Sequence, residues 1–130
     1  MALPSGFHRE YEFHLDSGAT GHFCNSKHLL TEMNRCQKLG NTIANGDKLV
    51  TDLYGNLNLP VKINNHVNDV NFNKVYHVMN INTNLLSVGG MVKKGNTVEF
   101  NKNGAKICNK NKKFIATATL EGSLFKFDLH

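Results

Sequence analysis

Short apolar runs separated by turn residues recur along most of this chain, and they predict strands. Leu49, Thr51 and Leu53, then Leu57, Leu59, Val61 and Ile63, recur at the period of two that turns one strand face towards a core, giving strands at 49–53 and 57–63. Runs rich in Val, Ile, Leu, Phe and Tyr predict further strands near 10–15, 70–77, 97–101, 105–109, 113–119 and 123–128. Asn-Gly or Gly-Asn pairs stand at 40–41, 45–46, 55–56, 95–96 and 103–104. Both residues accept positive φ at low cost, so each pair is a candidate tight turn. Asn101-Lys102-Asn103-Gly104 is a hairpin signal between Val98-Glu99-Phe100 and Lys106-Ile107-Cys108. One short helix fits Leu86 to Lys94, stopped by Gly95 at C′, although Gly89 and Gly90 weaken it. A helical turn fits Ser26 to Met33, with Ser26 as its cap. Pro60 interrupts a strand pattern and so predicts an edge position or a bulge. The expected class is all-β.

Length and composition narrow this picture. The chain has 130 residues and a mass of 14.5 kDa, enough for one domain. Residues 1–9 read as an N-terminal edge and 10–130 as a single folded unit. Hydrophobic residues make up 40% and charged residues 19%, which is enough apolar material for a core and argues against disorder. No apolar run approaches the roughly 20 residues of a membrane helix, and Met1-Ala2-Leu3-Pro4-Ser5-Gly6 lacks the marks of a signal peptide. Cys24, Cys36 and Cys108 form an odd set, which reads as free thiols in a reducing compartment. The net charge is +5, with the excess late in the chain at Lys93, Lys94, Lys102, Lys106, Lys110, Lys112 and Lys113. No nucleic-acid signature accompanies these lysines, so a solvated basic face is the expectation and nucleic acid is not an expected partner.

The stretch that points to chemistry is Phe13-His14-Leu15-Asp16-Ser17-Gly18-Ala19-Thr20. An apolar strand runs directly into a carboxylate, a hydroxyl and a glycine. Gly18 allows a second chain to approach closely, and Ser17 and Thr20 offer hydroxyls that brace a loop. Surface turns use the same residues, so the tripeptide alone is weak. A second motif follows Val75-Tyr76-His77-Val78, namely Asn84-Leu85-Leu86-Ser87.

Asp16-Ser17-Gly18-Ala19-Thr20-Gly21-His22 resembles the active-site loop of the protease in copia-type retrotransposon polyproteins, a retropepsin-like aspartic protease. Asn84-Leu85-Leu86-Ser87-Val88 resembles the segment that follows in the same family. The similarity covers about residues 10 to 128. It implies a closed β-barrel with a flap hairpin, one short helix and extra C-terminal hairpins. It places the flap, which covers the substrate, at Ala44, Asn45, Gly46 and Asp47, where Asn-Gly also suits a hairpin tip. It assigns catalysis to Asp16 and loop support to Ser17, Gly18, Ala19 and Thr20. It implies neither cofactor nor metal.

Peptide hydrolysis by this class needs two facing carboxylates that share a proton, because like charges held close cannot both ionise cheaply. The chain has one Asp-Ser-Gly, and Asp47, Asp52, Asp69 and Asp128 lack that context. The resemblance therefore implies a homodimer in which each subunit supplies Asp16 and Ser17 braces the two loops. The substrate would be a polypeptide, its own polyprotein, inside a cytoplasmic virus-like particle. A retroviral protease ends near the equivalent of Phe100, so strands in 97–128 are expected to form or remodel the dimer interface. The alternatives are a catalytically silent dimerisation or binding module of the same fold and a basic nucleic-acid module.

Other groupings carry less. His22, Cys24, His28 and Cys36 do not have zinc-site spacing. His22 is expected to support the active-site turn, and Cys24 and Cys36 to pack as small apolar groups. His14 is expected on the opposite strand face from Leu15, partly exposed. Phe100, Phe114, Phe125 and Phe127 are expected in a core or an interface.

Overall fold

A computed structural model describes residues 10–42, 48–79 and 81–130. Ten strands join one sheet: β1 (Phe13–Asp16), β2 (His22–Cys24), β3 (Leu30–Thr42), β4 (Lys48–Ile63), β5 (His66–His77), β6 (Asn84–Ser87), β7 (Thr97–Asn101), β8 (Gly104–Cys108), β9 (Phe114–Glu121) and β10 (Leu124–Phe127). The α-helix α1 spans Val88–Lys93, and a 3-10 turn spans Lys27–Leu29. The all-β expectation holds.

Strand order is β3-β4-β5-β2-β6-β1-β10-β9-β8-β7. The long ribbon β3-β4-β5 forms one arm and the meander β7-β8-β9-β10 the other. Between them, β1 runs parallel to β6, with Phe13 opposite Asn84 and Asp16 opposite Ser87. On its other side β1 runs antiparallel to β10, with Leu15 opposite Phe125. A strand with neighbours on both sides and cover on both faces should be apolar throughout. Accordingly Phe13, His14 and Leu15 are all buried.

The two arms fold onto one another. Leu57, Leu59, Val61 and Phe72 of the ribbon share a core with Ile107, Ala116 and Phe127 of the meander. The Phe72 and Phe127 rings meet edge to face, with centroids 6.0 Å apart. Burying each such side chain stabilises the fold by about 1.5–3 kcal/mol. The expected closed barrel is corrected here. β3 and β7 are the two ends of the sheet, and the pairing among the described residues does not join them. A twisted sheet of about ten strands curls to bury its inner face, and here side-chain packing between the arms makes the closure that ladder hydrogen bonds do not.

Local signals explain several boundaries. The Ser87 side chain caps α1 by accepting from the Gly90 N–H at 2.9 Å. Gly95, at φ +98, ends the helix in a conformation that suits glycine. Pro60 pairs with Asp69 on one side, and on the other it lies beyond the β3 pairing, which starts at Leu57. That side is locally an edge, and the Pro60 carbonyl accepts the His130 N–H at 2.9 Å. The helical turn expected to Met33 ends at Leu29, and the Ser26 side chain makes no cap. Leu30 onwards is strand, with register shifts between Thr31 and Asn34 and between Arg35 and Leu39.

The strands expected at a dimer interface, within 97–128, are β7–β10. These strands pair within their own chain, and β10 lies beside β1. The described residues leave β7 as the outer edge of that arm.

Candidate active site

Asp16 is the last residue of β1, where the strand breaks into an exposed turn. Its Oδ1 accepts the Gly18 N–H at 2.8 Å, which fixes the carboxylate over the turn. The Ala19 N–H reaches the Asp16 carbonyl at 3.4 Å. Ser17, Gly18 and Thr20 are exposed, while Ala19 is half-buried. A methyl group built on Gly18 would meet only Asp16 Oδ1 within 4 Å, at 3.4 Å. The front of the turn is therefore open to another chain, and the Ser17 hydroxyl has no hydrogen bond among the described residues.

The second motif lies directly alongside. Parallel pairing sets Ser87 beside Asp16, and Leu86, fully buried, beside Leu15. Ser87 Oγ donates to the Ala19 carbonyl at 2.8 Å while accepting from Gly90 N. One hydroxyl thus joins the Asp16 turn to the first turn of α1. Asn84 is fully buried and joins two more segments. Its Oδ1 accepts the Asn25 N–H at 2.8 Å and its Nδ2 donates to the Glu10 carbonyl at 2.9 Å. Leu85 is half-buried against the small cluster of Phe23, Val78 and Ile81.

His22 completes the frame. It is buried, and its Nδ1 accepts the Ser87 N–H at 2.9 Å, so its proton sits on Nε2. Burial above all, with the Lys94 charge adding to it, pushes its pKa down from 6.5 to about 4. The ring is therefore neutral at physiological pH and remains an acceptor for Ser87. Its edge packs on Phe72, centroid to centroid 5.2 Å.

His14 departs from expectation. It is buried, not partly exposed, and its Nδ1 lies 2.6 Å from Thr83 Oγ1. The side chain is covered on its own face of the sheet, with Thr83 against the ring, so strand alternation does not expose it. Burial lowers its pKa, helped by Lys126 and opposed by Glu12 and Glu121. Cys24 is buried, and that burial raises its pKa to about 11, so it stays a thiol. The Cys36 thiol is half-buried, 3.9 Å from the Thr51 carbonyl. Phe127 is in the core, whereas Phe100 is exposed and meets Phe125 edge to face, with centroids 4.8 Å apart. Among the described residues no three His, Cys, Asp or Glu side chains converge as a metal cage.

The fold thus brings Asp16, Ser17, Gly18, Ala19 and Thr20 together with Asn84, Leu85, Leu86 and Ser87. The expected flap residues Ala44, Asn45, Gly46 and Asp47 lie outside the described residues; the flanking strands pair up to Thr42 and Lys48. The sequence reading did not foresee the Asn25 link or the His14–Thr83 contact. The only available signal was a polar Asn84 beside two leucines.

The family model for the Pol polyprotein β-barrel domain matches residues 13–96, well over half of the chain. The chain belongs to that family. It is a domain of a retroelement Pol polyprotein. The family's span opens on the first residue of β1 and closes just past α1, so it contains both motifs and leaves β7–β10 outside. No curated protein and no solved structure matches the chain. No helix of the described residues is long and apolar enough to cross a membrane.

Proposed function

We propose that this Pol β-barrel domain is an aspartic endopeptidase subunit of the copia-type, retropepsin-like kind, which cleaves its own polyprotein as a homodimer within a virus-like particle. The observation that supports it best is the placing of Asp16. A central, fully flanked strand delivers its carboxylate to an open turn, and Ser87 and His22 lock that turn from behind.

The chemistry follows from the carboxylate count. One chain presents one Asp-Ser-Gly, so two chains meeting at the open face of the turn would pair Asp16 with the partner copy's equivalent. The pair would hold one proton between them. The ionised member takes a proton from a bound water, and the protonated member donates towards the scissile carbonyl. Gly18 would admit the second turn, and the exposed Ser17 hydroxyl would bridge the two. The substrate would lie extended, hydrogen-bonded like an added strand.

The test is cleavage of a polyprotein fragment containing the domain's flanks, by wild type and by Asp16→Asn. Loss of all cleavage in the variant, with an unchanged circular dichroism spectrum, is the expected result. Mixing inactive Asp16→Asn subunits into wild type should lower activity more than dilution does, because mixed dimers hold a single ionisable aspartate at the seam. Cleavage by Asp16→Asn would overturn the assignment. A folded wild type that binds the fragment but never cuts it would favour a silent binding module.

A further inference from the structure

A cavity of about 300 Å³ opens behind the active-site frame, between β5, α1 and the β8–β9 arm. That size is at the small end of ligand pockets, which run from about 300 to 1,000 Å³. Its floor is apolar, built from the buried side chains of Phe72, Met91, Ile107 and Phe127. Its wall carries His22, Lys94 and Lys113. Asp69 stands on the same wall, but two ammonium groups against one carboxylate leave it net positive. Neither lysine has a carboxylate at ion-pair distance among the described residues.

His22 adds a directed donor. Its Nδ1 is occupied by the Ser87 N–H, so Nε2 holds the hydrogen. Nε2 points towards Gly90, another wall residue: a methyl group built there would lie 3.4 Å from it. No acceptor among the described residues takes that proton. An apolar floor, a neutral N–H donor and two unpaired cations together define the complement of one ligand class.

We propose that this cavity binds a small organic anion with an apolar body, of the medium-chain carboxylate type. The hydrocarbon part would cover the phenylalanine and methionine floor. The carboxylate would accept from His22 Nε2 and sit near the Lys94 and Lys113 ammonium groups. An uncharged ligand of the same shape would leave both cations unanswered, and a short carboxylate would leave the floor wet. The site is independent of the proposed peptide hydrolysis, and its test reads binding alone.

The experiment titrates octanoate, 1-octanol and butyrate into the isotopically labelled chain and follows amide and imidazole resonances by NMR. Saturable octanoate shifts confined to His22, Gly90, Lys94, Ile107 and Ile115 are expected, with the other two probes at least about tenfold weaker, a difference of about 1.4 kcal/mol. Rising salt should weaken octanoate and leave octanol unchanged, which needs no substitution. Lys94→Gln and Lys113→Gln, made singly, should each weaken octanoate several-fold while the rest of the spectrum stays in place. Absence of saturable shifts, shifts mapping elsewhere, or equal binding of octanol and octanoate would each overturn the proposal.

Discussion

His22 Nδ1 accepts the backbone N–H of Ser87 at 2.9 Å, so a side chain just after the Asp16 turn holds the backbone of the strand beside it. The bond requires a neutral ring, and burial keeps the pKa near 4. Below pH 6.5 the unfolded chain takes up a proton at this residue and the folded chain does not. The contribution of His22 is therefore complete above 6.5 and falls away as the pH drops to about 4. Over that window it amounts to roughly 3 kcal/mol. His22→Gln keeps an acceptor and removes the titration. Urea unfolding at pH 7, 5.5 and 4.5 should show a shallower loss of stability in the variant; equal slopes would show that the ring does not titrate as described.

Asn84 has a larger effect than its small size suggests. Replacing it with leucine strands the Asn25 N–H and the Glu10 carbonyl without their partner. The expected cost is about 3 kcal/mol. A lower urea midpoint with an unchanged m-value would report it, and a midpoint close to wild type would mean water replaces both bonds.

A third expectation concerns the last strands. Cutting the chain after Phe100 removes β8–β10 and leaves β1 without its β10 neighbour and without cover from Ile107, Ala116 and Phe127. The shortened chain should show no cooperative thermal transition by circular dichroism. A sharp transition would mean that the family's matched span folds without its extension.

Gly104 provides a sharper packing test. A methyl group there would lie 2.0 Å from the Ala118 carbonyl oxygen, backbone that cannot swing aside. Gly104→Ala should force β8 from β9 and cost about 2–3 kcal/mol, read as a fall in the unfolding midpoint. A variant as stable as wild type would place the two strands further apart than described.

The sequence was most informative where local chemistry decides. The β7–β8 hairpin turns at 102–103, as Asn101 to Gly104 predicts, and Asn101 Oδ1 accepts the Asn103 N–H at 2.8 Å. α1 ends where Gly95 requires. The reading weakened where tertiary neighbours decide. The helix expected from Leu86 starts instead at Val88, because β1 and β2 flank Asn84 to Ser87 and make them strand. β3 carries Glu32 at φ 50 and two register shifts, so its alternation is broken at the residues that would reveal it. In the site, the Asp16 turn was legible from its residue types. The His22 and Asn84 bonds join segments far apart in sequence, and no local pattern encodes such pairs.

β1 is the first strand of the sheet to leave the ribosome, and its partner β10 is the last. At about 5–20 residues per second, the acidic turn waits several seconds for the segment that seats it. Such a long-range closure slows folding. It also sets an order of events: the strand bearing Asp16 acquires its full support only once translation has passed Phe127, so the turn is seated after the rest of the sheet has been made.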